Sequence, residues 1–330
     1  MPSVAARRSV AWVALVVVAG VALLGPEREA DRGPGAAMAA LVAAEAAPRT
    51  LDPYEGLGAW IDVFDYAPAY QGGGAAAPLD VGVVDDMAAA GVRTLFLQAA
   101  RADERSPEGI VDPALVSRLL VRSHQAGLRV VAWYLPTFDD VDRDVRRVEQ
   151  LLALEVLGHR FDGVALDIEL TEAVPDHAER NRRLVELSTR VRAAAGDATL
   201  GAIVLPPVQL EVVNPALWPE FPWGELAPLY DVWLPMSYWT FRSDDSGYGD
   251  GYAYNEESTR RLRERVDDPA APVHGIGGIG DEAPPAELDA FVRSLVDTDS
   301  VGGSIYDWNT LDVTARALLA DRLGEGVPAD

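Results

Sequence analysis

The segment FDGVALDIEL, residues 161–170, places two carboxylates, Asp167 and Glu169, at the end of a run otherwise apolar enough to be a buried strand. Strand side chains alternate between faces, so Val164, Leu166 and Ile168 share one side, and Ala165, Asp167 and Glu169 share the other. Two carboxyl groups on one face repel each other, and the repulsion raises the proton affinity of one of them. A glutamic acid kept protonated near neutral pH can act as a general acid. A plainer reading pairs both carboxylates with arginines at the sheet rim. The Phe-Asp-Gly lead-in and the shared parity favour the chemical one.

Such a pair needs a scaffold that brings strand ends together. From about residue 55 onward, short apolar runs alternate with longer helical patterns. Strands are expected over 57–64, 93–98, 128–134, 161–168, 199–205, 231–236, 272–277 and 302–306. Helical patterns are expected near 80–90, 112–126, 139–157, 176–195, 254–266, 284–296 and 309–323. The helix after the fifth strand is the weakest, because prolines crowd 206–230. Gly91, Gly127 and Gly196 stand where helices should stop. Eight such units imply an α/β fold, a (β/α)8 TIM barrel over 53–325, whose active face lies at the strand C-termini. A doubly wound sheet fits less well, because no glycine-rich phosphate loop follows the first strand.

Composition narrows the chemistry. The formal net charge of −24 repels nucleic acid, and no basic stripe offsets it. Without cysteine there is no disulfide, thiolate nucleophile or zinc–cysteine site. His124, His159, His177 and His274 lack metal-ligand spacing, so no metal or cofactor is expected. Arg7 and Arg8 precede an apolar run from 10 to 24, so 1–25 reads as a cleaved signal or a retained membrane anchor. Either one places the rest of the chain outside the cytoplasmic membrane, secreted or tethered. Residues 26–52 read as a linker.

Residues 162–169, DGVALDIE, resemble the strand-four signature D-G-x-D-x-D-x-E of the chitinase-like family 18 glycoside hydrolases, through Asp162, Gly163, Asp167 and Glu169. Ala165 stands at the remaining acidic position. The resemblance implies that Glu169 protonates the glycosidic oxygen and that Asp167 orients the substrate's N-acetyl group, which acts as nucleophile. Met236-Ser237-Tyr238-Trp239 is similar to that family's M-x-Y-D, which makes Tyr238 a contact to the acetamido group and puts Trp239 in place of the aspartate. The family's strand-three S-x-G-G is absent. The chain also resembles family 25 lysozymes: Ala59-Trp60-Ile61-Asp62-Val63 is similar to their G-I-D-V, and Asp307 ends strand eight. That resemblance implies an acidic ring of Asp62, Asp167, Glu169 and Asp307.

Aromatics Trp60, Phe64, Trp133, Tyr134, Tyr238, Trp239, Tyr306 and Trp308 fall on or just after expected strands, where flat walls suit sugar rings, although core packing also uses them. Gln98 and Arg101 follow strand two as candidate substrate hydrogen-bond donors. Loop 237–255 reads as a lid or groove wall, and 206–223 as a second wall. Asp244, Asp245 and Asp250 lack calcium-loop spacing. The glycines of 275–280 point to close backbone packing. The combined expectation is a monomeric, exported glycosidase acting on a polysaccharide with N-acetylated sugars. Glu169, Asp167 and Tyr238 would be catalytic, with Asp62, Trp60, Gln98, Trp133, Trp239, Asp307 and Trp308 binding substrate. A barrel that binds envelope glycan without cutting it is the alternative, favoured by Ala165 and Trp239. A carboxylate-only metal hydrolase is a third.

Overall fold

Parallel strands and helices alternate through the computed structural model, which describes residues 49–72, 75–106 and 109–327. The expected export segment, and the linker as far as residue 48, lie outside the described residues. The strands are β1 (Gly56–Ile61), β2 (Thr94–Arg101), β3 (Arg129–Leu135), β4 (Gly163–Ile168), β5 (Thr199–Val204), β6 (Val232–Pro235), β7 (His274–Ile279) and β8 (Gly302–Tyr306). Hydrogen-bonded neighbours run β6-β5-β4-β3-β2-β1-β8-β7, all parallel. The ring closes between β6 and β7, where Trp233 N donates to Pro272 O (2.9 Å) and Ser237 N to Ile276 O (2.7 Å). This is the expected barrel and not the open sheet.

The barrel helices are α1 (Val83–Ala89), α2 (Pro113–Gln125), α3 (Val141–Ala153), α4 (His177–Ala195), α5 (Trp223–Leu226), α6 (Gly251–Arg265), α7 (Pro285–Asp297) and α8 (Val313–Leu323). Asp112, Asp140, Asp176, Asp250 and Asp312 each accept a backbone N–H at a helix start, so part of the acidic excess is capping. The prolines after β5 leave a π-helical turn (Gln209–Val213), the one-turn α5 and a 3-10 turn (Ala227–Leu229) in place of a long helix. The loop expected over 237–255 is shorter than the sequence suggested. Asp250 starts α6 at Gly251, and its carboxylate accepts from Ala253 N (2.7 Å). The linker also ends early. Arg49 bonds Gly196 O and Asp231, and Thr199 Oγ1 donates to Thr50 O (2.7 Å).

Two apolar shells follow from strand alternation. Val164, Leu166 and Ile168 pack outward against the helices, while Ala165 faces inward with Trp60, Phe96, Val131, Trp133, Ile203 and Ile276. Tyr54 closes the lower end, its hydroxyl donating to Val164 O (2.9 Å). Gly163 and Gly201 make room for it, since a Cβ on either would come within 2.9 and 2.8 Å of the Tyr54 side chain. Above it Trp60 stacks on Phe96, with centroids 4.4 Å apart, and donates Nε1–H to Ser304 Oγ (2.7 Å). His274 touches the same Ser304 Oγ (2.9 Å), and burial pushes its imidazole down to about 4, so it is neutral there. Because Trp60 anchors this inner layer, Trp60→Ala is expected to cost about 3–5 kcal/mol of unfolding free energy. Urea titration measures it, and a loss below about 1 kcal/mol would contradict this placement.

Candidate active site

Alternation along β4 delivers both carboxylates to the C-terminal mouth of the barrel. Asp167, the last inward residue within β4, is 7% exposed, and its Oδ1 has no hydrogen-bond partner. Glu169 follows one step higher and keeps partial contact with solvent. Among the described residues neither forms an ion pair with arginine, so the rim-pairing alternative is not what the geometry shows. Burial lifts Glu169 to about 7, with Arg101 opposing and Glu172 adding. Burial and then the Glu169 charge raise Asp167 well above the usual carboxylate range, again opposed by Arg101. Desolvation thus leads, and the repulsion expected from spacing acts on the deeper group. Burial favours the protonated form of both groups, and their titrations are coupled.

Three other strand ends complete the mouth. Burial, then the charges of Glu169, Asp167, Asp307 and Asp62, raise the phenol of Tyr238, just past β6, and keep it protonated. Its ring lies 6.0 Å from that of Tyr306, whose hydroxyl donates to Asp62 Oδ2 (2.7 Å). Asp62 Oδ1 accepts from Phe64 N (2.7 Å) and Asp65 N (3.2 Å), capping the one-turn helix Val63–Tyr66. Asp65 answers by accepting from Asp62 N (3.1 Å) and from Asn309 Nδ2 (3.0 Å). Burial, then Asp62 and Asp307, push Asp65 up to about 8. Asp307 is buried, and its Oδ1 accepts from Thr310 N (2.9 Å). Of the expected acidic ring, Asp62 and Asp307 therefore cluster with Asp65, beside the Asp167–Glu169 pair.

Several expected wall residues lie elsewhere. Trp60 is inner core, as described. Trp133 is buried beside it, ring centroids 6.0 Å apart, with Nε1 lacking an acceptor. Gln98 is fully buried. Its Oε1 accepts from Val63 N (3.1 Å), which orients the β1 end, while its Nε2 has no partner. Trp239 points outward against Phe291 of α7 (5.4 Å), filling space left by Gly277, where a Cβ would stand 2.7 Å from its ring. Trp308 is also in the outer shell, with Arg316 4.2 Å above its ring. In segment 206–223, Trp218 and Trp223 are buried core and not a groove wall. Parity explains part of the exchange. Met236 and Tyr238 share the inward face, which leaves Trp239 on the other. Trp308 has the parity of Ser304 and Tyr306 but lies past the end of β8, where alternation no longer holds, and it packs in the outer shell.

Spacing alone did not single out Asp65, although D-x-x-D after a strand is a capping pattern. Tyr238, Tyr306 and the exposed rings Phe64 and Phe241 are aromatics at this face. Phe241 meets Tyr238 edge-on at 5.8 Å. Oxygens of Asp62, Asp65 and Asp307 lie within 4.8 Å of one another, a donor set suited to a hard cation, but backbone and side-chain donors already occupy much of it. Asp162 belongs to the opposite end of β4, where it accepts from Val130 N (2.7 Å) and contacts His124 Nε2 (2.8 Å). A recess of about 460 Å³ begins two residues beyond Glu169, between Thr171–Glu172 and Asn214–Pro219, beside the carboxylates and not above Asp167.

No family model and no curated protein match the sequence. Solved structures do. An endo-β-1,4-mannanase from Thermotoga petrophila has a TM-score of 0.59 at 11% identity, covering 84% of this chain and 78% of that one. A class V chitinase from Pseudomonas fluorescens Pf-5 gives 0.56 at 10% identity, over 80% and 98%. The spore cortex-lytic enzyme SleL from Bacillus megaterium QM B1551 gives 0.52 at 8%, over 84% and 75%. The fold is a TIM barrel. At these identities the likeness is one of fold.

Proposed function

We propose that this barrel is a glycoside hydrolase acting on a polysaccharide with N-acetylated sugars, peptidoglycan or chitin-like material, without a cofactor. The observation that carries the reading is the inward pair at the end of β4: two carboxyls in no ion pair with arginine among the described residues, with Glu169 lifted to about 7 by burial. Below that pH Glu169 holds a proton it can give to a glycosidic oxygen as the bond to the anomeric carbon breaks. Asp167, one step deeper, supplies the second carboxyl. Tyr238 stays a phenol and donates a hydrogen bond to the reacting sugar, in the resemblance to its acetamido oxygen. Phe64 and Phe241 offer apolar rings to sugar faces. The named activities of the fold neighbours, a chitinase and a cortex-lytic enzyme among them, support this class. The exported or membrane-tethered location expected from residues 1–25 would suit an envelope polymer.

Digestion of peptidoglycan and of chitin oligomers, with mass analysis of the products, tests the proposal. New reducing ends in wild type, absent with Glu169→Gln, are expected. Oligosaccharide bound by both forms with no cleavage would select the glycan-binding alternative, which Ala165 beside the pair favours.

A further inference from the structure

Arg101 ends β2 at the same mouth, and its charge opposes protonation of both Asp167 and Glu169. Its guanidinium lies over the exposed ring of Phe64, 5.4 Å from the centroid. Among the described residues it makes no hydrogen bond and no ion pair. Its neighbour Arg105, by contrast, is held bidentately by Asp103 at 2.8 and 2.6 Å. In a chain with 52 acidic residues against 28 arginines, an unpaired guanidinium beside two carboxylates needs a reason. Asp103, two residues on, feels the Arg101 charge but spends its carboxylate on Arg105. Gln98 Nε2 and Trp133 Nε1, on β2 and β3, are donors without an acceptor. Phe64 holds the guanidinium by a cation–π contact that leaves its N–H groups unused.

Building on the glycosidase reading, we propose that Arg101 is a substrate-binding residue for a carboxylate carried by the sugar beside the cleaved bond. A planar fork matches one carboxylate with two parallel hydrogen bonds. The formal charge of −24 opposes a densely anionic polymer, so the fitting substrate is a largely neutral glycan with isolated carboxylates.

The test uses a tetrasaccharide alternating N-acetylglucosamine and N-acetylmuramic acid, and the same molecule with its carboxyls reduced to alcohols. Binding is measured with Glu169→Gln, and KM and kcat with the otherwise native chain. Wild type is expected to bind and cleave the acidic form with Kd and KM roughly tenfold lower or better. Arg101→Gln is expected to collapse that ratio towards one, and Arg101→Lys to restore part of it. Equal constants for the two forms in wild type, with turnover, would overturn the carboxylate subsite and leave the glycosidase standing. An Arg101→Gln variant that keeps the ratio and only shifts the pH profile upward would reduce Arg101 to tuning Glu169, which also overturns it. Binding of neither form overturns both this inference and the substrate class on which it rests.

Discussion

Replacing Glu169 by glutamine is expected to lower turnover about 100- to 10,000-fold while leaving the barrel folded and, above pH 7, more stable than wild type. Both effects come from one cause. Glu169 would ionise near 4.5 in the unfolded chain and does so at about 7 in the fold. Between those values the native state holds a proton the unfolded state has lost, so stability falls as pH climbs through that window and the deficit stays constant above it. An amide cannot ionise, so the variant escapes the deficit, worth on the order of 1–3 kcal/mol for a group in partial contact with solvent. Asp65, also raised, steepens the decline in both proteins without separating them, while Asp167, raised in part by the Glu169 charge, is raised less in the variant. Thermal unfolding at pH 5 and pH 8.5 reads this directly. The variant should gain at the higher pH alone, and a loss of stability at both would show that Glu169 serves the fold.

The second large effect is expected at Asp167. Its Oδ1 has no protein partner, and nothing in the packing of β4 needs a carboxyl there, so Asp167→Asn should fold normally. Turnover should still fall roughly 100-fold or more, because an amide cannot take on charge as the reacting sugar becomes cationic. Glu169 and Asp167 act as one unit. The double variant is therefore expected to be little worse than Glu169→Gln alone. Multiplying losses would show two independent roles.

Much of the scaffold could be read from residue order. Apolar runs separated by helical periods located every strand, and alternation along β4 separated Val164, Leu166 and Ile168 from Ala165. The same rule applied to β6 separates Tyr238 from Trp239, whereas Trp308 lies past the end of β8, where the rule no longer reaches. Residue type was allowed to outweigh parity at Trp239, and the slot that takes it depends on glycines of β7 about forty residues away. Asp65 was hidden for another reason. Its carboxyl matters through burial next to Asp62 and Asp307, and the latter lies on the far end of the chain. Desolvation is a property of the closed ring, so spacing could suggest repulsion between Asp167 and Glu169 but not that burial would dominate.

The most direct measurement is the pH dependence of kcat/KM between pH 4 and 9, for wild type and for Asp167→Asn. If burial makes Glu169 the proton donor, activity falls along a limb centred near pH 7 in wild type. The limb stays there when residue 167 is made neutral, since burial, and not the charge of Asp167, raises Glu169. A limb near pH 4–5 in wild type, or one that drops there on substitution, would contradict the assignment. The first outcome would remove Glu169 as the acid, and the second would make the charge of Asp167, not burial, the source of its proton affinity.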